Sequence, residues 1–289
     1  MPSPSFHAPE TREAAIALLA ADPGARPLSG GTDLVVQMRS GRFVPSAVVD
    51  LKRIAGMSGV RAMGEGFAIG AATPCTALKA DAALAAAWPG VVEAANLIGS
   101  VQVRNRATMA GNLCNASPAA DSVPALAAAN ARVLVAGPNG EREVPVLDIP
   151  LSPGKTSLTP GEFVAEIRLP PRLERGGDAY LRSTPRTEMD IAVAGAGVSV
   201  EMAPDGTCAA ARIALGAVGP KVVLVEEAAA ALVGTRLDDA ALEAMAVAIR
   251  AACHPIDDKR GTVAYRKAMA ATLARRALFI AVKRAGGAA

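Results

Sequence analysis

Ala107–Ser122, "ATMAGNLCNASPAADS", is the stretch on which the reading of this chain turns. It carries no charge before Asp121, and small side chains, amides and hydroxyls fill nearly every position. That make-up is too polar for a core strand and too consistently small for an ordinary linker. An upstream segment has the same grammar: "SGGTDL" at Ser29–Leu34 matches "TMAGNL" at Thr108–Leu113. In each, a hydroxyl residue is followed by tight small residues, then a carboxylate or amide, then Leu. A diphosphate needs donors that approach closely, and backbone N–H groups at corners without bulky side chains supply them, helped by the dipole of a helix start. Gly30, Gly31 and Gly111 are expected to take positive φ and admit phosphate oxygens. Thr32, Asp33, Thr108 and Asn112 would orient sugar-alcohol and phosphate groups, and Asp121 would accept from ligand hydroxyls or an imide. Neither motif holds a lysine, which suits a bound diphosphate better than a reacting triphosphate.

The rest of the chain narrows the chemistry by exclusion. Of its 289 residues, 51% are hydrophobic and 20% charged, enough to bury a sizeable core. Net charge is only +3, and no basic block is interleaved with aromatics, so a nucleic-acid surface is not indicated. The basic run "RKAMAATLARR" reads as the solvated face of a helix. No apolar run reaches transmembrane length and the N-terminus lacks a basic-then-apolar signal pattern, so a cytoplasmic protein is expected. Cys75, Cys114, Cys208 and Cys253 form no C-x-x-C pair, which argues against zinc, iron–sulfur or disulfide roles. His7 and His254 are the only histidines, the first expected in a frayed N-terminus and the second at a helix end. No G-x-S-x-G, H-E-x-x-H or Walker motif occurs, and "AGAGVSV" sits in a strand-like alternation. Any redox or transfer chemistry therefore falls to a bound organic cofactor.

Periodicity and turn residues give the element order. A strand at Ser5–His7 precedes a helix in "TREAAIALLAAD" capped by Thr11, a strand to Leu28, the Gly-Gly corner, and a short helix from Asp33 to Arg39. The strand "AVVDL", a hairpin in "VRAMGEGFAIGA", and helices over Pro74–Asp81 and Pro89–Ile98 follow. "SVPALAAAN" reads as a helix capped by Ser122, "RVLVAGPNGEREVPV" as a hairpin and "EFVAEIRLP" as a strand. "PPRLERGGD" reads as a boundary. Beyond it come a strand–turn–strand unit turning at Pro204-Asp205-Gly206 and helices near Leu224–Leu232, Asp239–Ala252 and Thr262–Arg284. The expected class is α+β, with a first domain over residues 1–171 (sub-lobes about 1–57 and 58–171) and a smaller α+β domain over 172–289.

Three stretches, "LSGGTDLVVQMRSGRFVPSAVVDLKRI", "SVQVRNRATMAGNLCNASPAADSVPALAAANARV" and "HPIDDKRGTVAYRKAMAATLARRAL", together resemble the FAD-binding medium subunits of the molybdenum hydroxylases. That family includes the carbon-monoxide dehydrogenase medium subunits and the flavin domain of xanthine dehydrogenase. The resemblance spans almost the whole chain. It implies a two-lobed FAD-binding domain of the vanillyl-alcohol-oxidase (PCMH) type followed by a C-terminal α+β domain of the CO-dehydrogenase flavoprotein type. It places Ser29, Gly30, Gly31, Thr32 and Asp33 in the first diphosphate loop and Thr108, Met109, Ala110, Gly111 and Asn112 in the second. It further implies Asp121 as a cofactor-binding carboxylate, Val164 beside the cofactor, Arg182 as a basic residue near the flavin, and Ile98 and Gln102 along the flavin ring. Two departures stand out: Ala110-Gly111 replaces the usual Gly-Gly, and Ile98 replaces the aromatic of larger relatives.

The resemblance also implies an oxidoreductase with no catalytic acid, base, nucleophile or metal ligand in this chain. Electrons would come from a molybdopterin-binding large subunit through [2Fe–2S] clusters of a small subunit and leave for an external acceptor, in a dimer of heterotrimers. The family branch with an added [4Fe–4S] cysteine loop does not fit, because that insertion is missing. The residues alone leave two other readings open, a free-standing flavoprotein oxidase or dehydrogenase of the vanillyl-alcohol-oxidase class and a non-redox nucleotide-binding module.

Overall fold

The computed structural model describes residues 4–287. The chain opens with β1 (Ser5–His7), α1 (Arg12–Ala21), β2 (Arg26–Leu28), α2 (Leu34–Arg39) and β3 (Ala47–Asp50). The three strands form a parallel sheet in the order β1-β3-β2, with α1 and α2 as the crossovers that parallel neighbours require. Thr11 Oγ1 accepts from Ala14 N–H at 3.1 Å and starts α1, which seats Ala15 and Leu19 in the core. His7 is not frayed: it lies in β1, paired in register with Val49.

A second run comprises β4 (Val60–Met63), β5 (Gly66–Gly70), α3 (Cys75–Ala80), α4 (Ala82–Ala87), α5 (Pro89–Asn96), α6 (Val101–Arg104), α7 (Met109–Cys114) and α8 (Ser122–Ala128). It continues through β6 (Arg132–Gly137), β7 (Gly140–Pro145), β8 (Pro150–Ser152), β9 (Lys155–Thr156) and β10 (Phe163–Leu169). An antiparallel five-stranded sheet in the order β4-β5-β10-β6-β7 carries both expected hairpins. Helix α4 is a surprise. Asp81, read as a helix end, accepts from Leu84 N–H at 2.9 Å and begins a new helix. The Ser122 cap is also corrected. Ser122 is the first residue inside α8, and its hydroxyl donates to Asn112 Oδ1 at 2.7 Å instead.

The last run is β11 (Gly176–Ser183), β12 (Ala194–Met202), β13 (Cys208–Gly216), β14 (Val223–Leu224), α9 (Glu226–Ala230), α10 (Asp239–Ala252) and α11 (Val263–Arg284). The strands form an antiparallel sheet in that order, turning at Gly206 with φ +86°. One face is covered by α11, whose Ala270, Ala274, Ala277 and Ala281 are fully buried at helical spacing. Strand β11 begins inside the stretch read as a boundary, so "GGD" is strand rather than linker. The two glycines of "AGAGVSV" are strand residues on β12. A side-chain carbon at Gly197 would lie 2.4 Å from the Pro124 carbonyl of α8, and one at Gly195 would lie 2.6 Å from Tyr180 Oη. Close packing, not phosphate binding, accounts for that G-x-G.

Two apolar cores result. One gathers α1, β3, the α3–α8 helices and the inner faces of β5, β6 and β10, and the other gathers β12, β13 and α9–α11. Among the described residues no helix is long and apolar enough to cross a membrane.

Candidate functional site: a cleft between two glycine loops

The two motifs that resemble each other in sequence meet in space. After Leu28 the chain turns through Ser29–Asp33 into α2, with Gly31 at φ +77°, a conformation that strains any residue bearing a side chain. Gly30 needs its bareness for a different reason. A carbon added there would sit 2.0 Å from the Arg106 carbonyl oxygen, so the first loop rests directly on the backbone leading into the second. Lys52 Nζ, paired with Asp50 at 2.5 Å, donates to Ser29 O at 3.0 Å and pins the loop's start. The carbonyls of Gly31 and Asp33 accept from Val35 and Gln37 N–H. Among the described residues, the N–H groups of Gly30, Gly31, Thr32 and Asp33 find no protein acceptor.

The second loop is built as a capped helix start. Thr108 is extended, and its Oγ1 accepts from Gly111 N–H at 2.9 Å, which opens α7. Cys75 N–H donates to Ala107 O at 2.8 Å, so α3 braces the approach to the loop. Asn112 Oδ1 accepts from both the N–H and the hydroxyl of Ser122, at 3.2 and 2.7 Å. That locks α7 against the start of α8. Gln37 Nε2 donates to Asn115 Oδ1 at 3.1 Å and ties α2 to the far end of α7. The expectation of positive φ therefore holds at Gly31 and fails at Gly30 and Gly111, which are needed for close approach and within a helix.

Between the loops lies a cleft of about 490 Å³, within the usual range for small-ligand sites. Ser29, Gly30, Gly31, Thr32, Asp33, Thr108, Ala110, Gly111, Asn112, Ile98 and Val164 all line it. The guanidinium of Arg104 donates to the carbonyls of Ile98 and Gly99, each at 3.3 Å, and fixes the corner carrying Ile98. Met109 does not line the cleft but is buried in the core, while Gln102 lies exposed on α6. Asp121 and Arg182 are likewise absent from its walls and face each other: Arg182 Nη1 donates to Asp121 Oδ2 at 2.5 Å and Tyr180 Oη donates to Oδ1 at 2.9 Å. Arg182 thus sits in β11 with its side chain almost wholly buried.

Burial pushes the Asp121 carboxyl up, against the opposing pull of Arg182 and Tyr180. Burial and the neighbouring Asp121 push the Tyr180 phenol well above its ordinary value. Asp33 is exposed, yet partial desolvation of its carboxyl pushes it up, with no cation acting on it. Cys114 lines the cleft, but burial drives its thiol up to about 12, so it is protonated and unsuited to nucleophilic attack. Neither histidine lines the cleft. The walls offer free amides, hydroxyls and apolar surface, a binding chemistry without a nucleophile–base pair.

Sequence reasoning missed Arg26, Gln37, Arg42, Phe43, Leu158 and Phe163, which also line the cleft. It also missed Tyr180. Proximity to "LSGG" was a usable signal for Arg26. Gln37, Arg42 and Phe43 follow the same loop within ten residues of Asp33, whereas Leu158, Phe163 and Tyr180 come from segments that only the folded chain brings together.

Comparison with known proteins gives concordant matches. Residues 3–172 match the family model described as the FAD binding domain in molybdopterin dehydrogenase. Residues 179–280 match the CO dehydrogenase flavoprotein C-terminal domain. The chain is 35% identical to the carbon monoxide dehydrogenase medium chain of Afipia carboxidovorans, over 97% of both proteins. It is 30% identical to the putative xanthine dehydrogenase FAD-binding subunit of Escherichia coli K12, over 98% of this chain and 97% of that one. Among solved structures, reconstituted CO dehydrogenase from Oligotropha carboxidovorans superposes with a TM-score of 0.94 at 34% identity, covering 98% of this chain and 99% of that one. Quinoline 2-oxidoreductase from Pseudomonas putida 86 gives 0.89 at 27% identity, covering 98% of each chain.

Proposed function

The chain belongs to the FAD-binding medium subunits of the molybdenum hydroxylases, and on that premise we propose that its two glycine loops grip the diphosphate of one FAD. The observation that carries this is the seating of Gly30 on the Arg106 carbonyl, which sets the first loop, whose N–H groups find no acceptor among the described residues, directly against the backbone that leads into the second, with both loops lining one cleft. The residues fit the group: Ser29–Asp33 and Thr108–Asn112 supply amides and hydroxyls, and Val164 and Ile98 supply apolar wall. Gln102, exposed beside Ile98, is proposed to lie along the flavin edge. Met109 acts indirectly, by anchoring the second loop in the core.

Bound FAD supplies the redox chemistry, and this chain holds it, shields it from water and sets its electrostatic surroundings. Asp121 and Arg182 are proposed to act on the cofactor as a pair. Because neither lines the cleft and each neutralises the other, the pair would reach a bound flavin only as the field of a buried dipole, with the pull of Arg182 correspondingly weakened. No residue of this chain is assigned as acid, base or nucleophile. The raised, protonated Cys114 thiol speaks against the alternative of a free-standing oxidase with a covalent flavin.

In this reading the chain takes electrons from [2Fe–2S] clusters of a small subunit, fed by a molybdopterin-binding large subunit, and passes them to an external acceptor. We propose a cytoplasmic dimer of heterotrimers, with a flavin domain over residues 1–171 and a C-terminal domain over 172–289. The test is the visible spectrum of the purified chain together with native co-purification. Flavin absorbance and two partners carrying molybdenum and iron are expected. A colourless chain that purifies alone would overturn the reading.

A further inference from the structure

The cleft holds more positive charge than its motifs account for, and the source is outside both glycine loops. Arg26 and Arg42 are the cations on its walls, and Asp33 is the carboxylate. Of the other cations nearby, Lys52 is paired with Asp50 and Arg104 with Glu188, while Arg39 and Arg106 do not line the cleft. Among the described residues neither Arg26 nor Arg42 forms an ion pair. Arg26 is held in place without being neutralised. Its Nη1 donates to the carbonyls of Pro23 and Ala25 at 2.8 and 2.7 Å, and the guanidinium stacks over the Phe43 ring at 4.8 Å from the centroid. Asp22 is close enough to feel Arg26, but its oxygens are taken by Gly24 N–H and the Ser46 hydroxyl. Among the described residues, Nε and Nη2 of Arg26 have no hydrogen-bond partner. Asp33 is pushed up by burial alone, with no arginine among the groups acting on it, so the two guanidiniums are not there to serve it.

We infer that Arg26, positioned by Phe43 and the Pro23 and Ala25 carbonyls, and Arg42 are the counter-charges for the two phosphate charges of the dinucleotide. This inference rests on the FAD reading of the cleft and deepens it. The loops give directional amide hydrogen bonds but no net charge, while the arginines give net charge. A fixed guanidinium loses little entropy when a phosphate arrives, because the stack and the carbonyl bonds have already ordered it.

The test uses the full-length chain stripped of flavin, titrated with FAD and with riboflavin, which lacks phosphate, by flavin fluorescence at several salt concentrations. Arg26→Gln and Arg42→Gln are each expected to weaken FAD binding by about tenfold or more. Both should flatten its salt dependence and leave riboflavin binding unchanged. Arg26→Lys should retain most of the affinity. Arg42 is exposed, so its variant keeps the test open if an Arg26 variant folds poorly. Wild-type FAD affinity in both glutamine variants overturns the inference, and so does an equal loss for riboflavin or an unchanged salt slope. A wild-type chain that binds no FAD would sink the underlying reading instead.

Discussion

The two glycine loops look like copies in sequence and are built differently. In the first, Gly31 takes a left-handed conformation, Gly30 lies against another backbone, and four successive N–H groups find no acceptor among the described residues. In the second, a threonine cap organises a helical turn and the glycine is an ordinary helix residue. The aligned fifth positions differ as well. Asp33 is an exposed carboxyl without a cation, whereas Asn112 spends its oxygen on Ser122. Similar composition thus serves two ends: one loop is bare so that it can bend and approach, the other is small so that a capped turn can sit beside a ligand.

The strongest challenge to this contrast comes from the support behind the second loop. Asp121→Asn strands Arg182 as a buried cation next to the start of α8, and a broken buried pair costs about 3–5 kcal/mol. Urea denaturation should show that loss, with FAD retention falling with it. A stability change under about 1 kcal/mol would mean the pair is not the brace it resembles. Next comes Gly30→Ala, where the added carbon overlaps the Arg106 carbonyl. Overpacking of this kind costs about 1–3 kcal/mol, and here it also pries the loops apart, so FAD content should collapse. Retained flavin would show that the loops need not touch.

Thr108→Ala removes the cap of α7, worth about 1 kcal/mol, and is expected to lower the melting temperature by several degrees with partial flavin loss. Gly111→Ala should separate binding from folding. Its added carbon meets only Thr108 Oγ1, at 3.0 Å, and alanine favours a helix by up to about 1 kcal/mol. Stability should therefore hold while FAD affinity drops. If affinity holds too, the second loop does not approach the phosphates closely.

The smallest effect is a pH dependence at Asp33. Burial raises its folded pKa above the unfolded value, so the folded state holds the proton more tightly. The stability it contributes is present below the unfolded pKa and is lost as pH rises through the folded one. Asp33→Asn should therefore gain stability relative to wild type as pH rises from 4 to 7, read as the difference between urea midpoints. A difference that does not change with pH would mean that the loop desolvates the Asp33 carboxyl too little to matter.

Much of this molecule was legible from local rules. Caps and periodicity gave the helix at Arg12–Ala21, both hairpins of the central sheet and the three C-terminal helices, because those signals lie within a few residues of their effect. Helix α4 was missed because Asp81 reads equally as an end and as a cap, and strand β11 because "ERGGDAY" resembles a linker until β12 pairs with it.

By itself the sequence determined the two small-residue motifs, the order of the elements and the family resemblance. Each of these depends on residue types at short spacing. Only the tertiary structure decided that Gly30 leans on Arg106, that Asp121 faces Tyr180 and Arg182, and that two arginines outside the motifs line the cleft. Those facts depend on contacts between segments far apart in the chain. Their energies are settled by burial and by which partner is already taken, and neither is written at any single position.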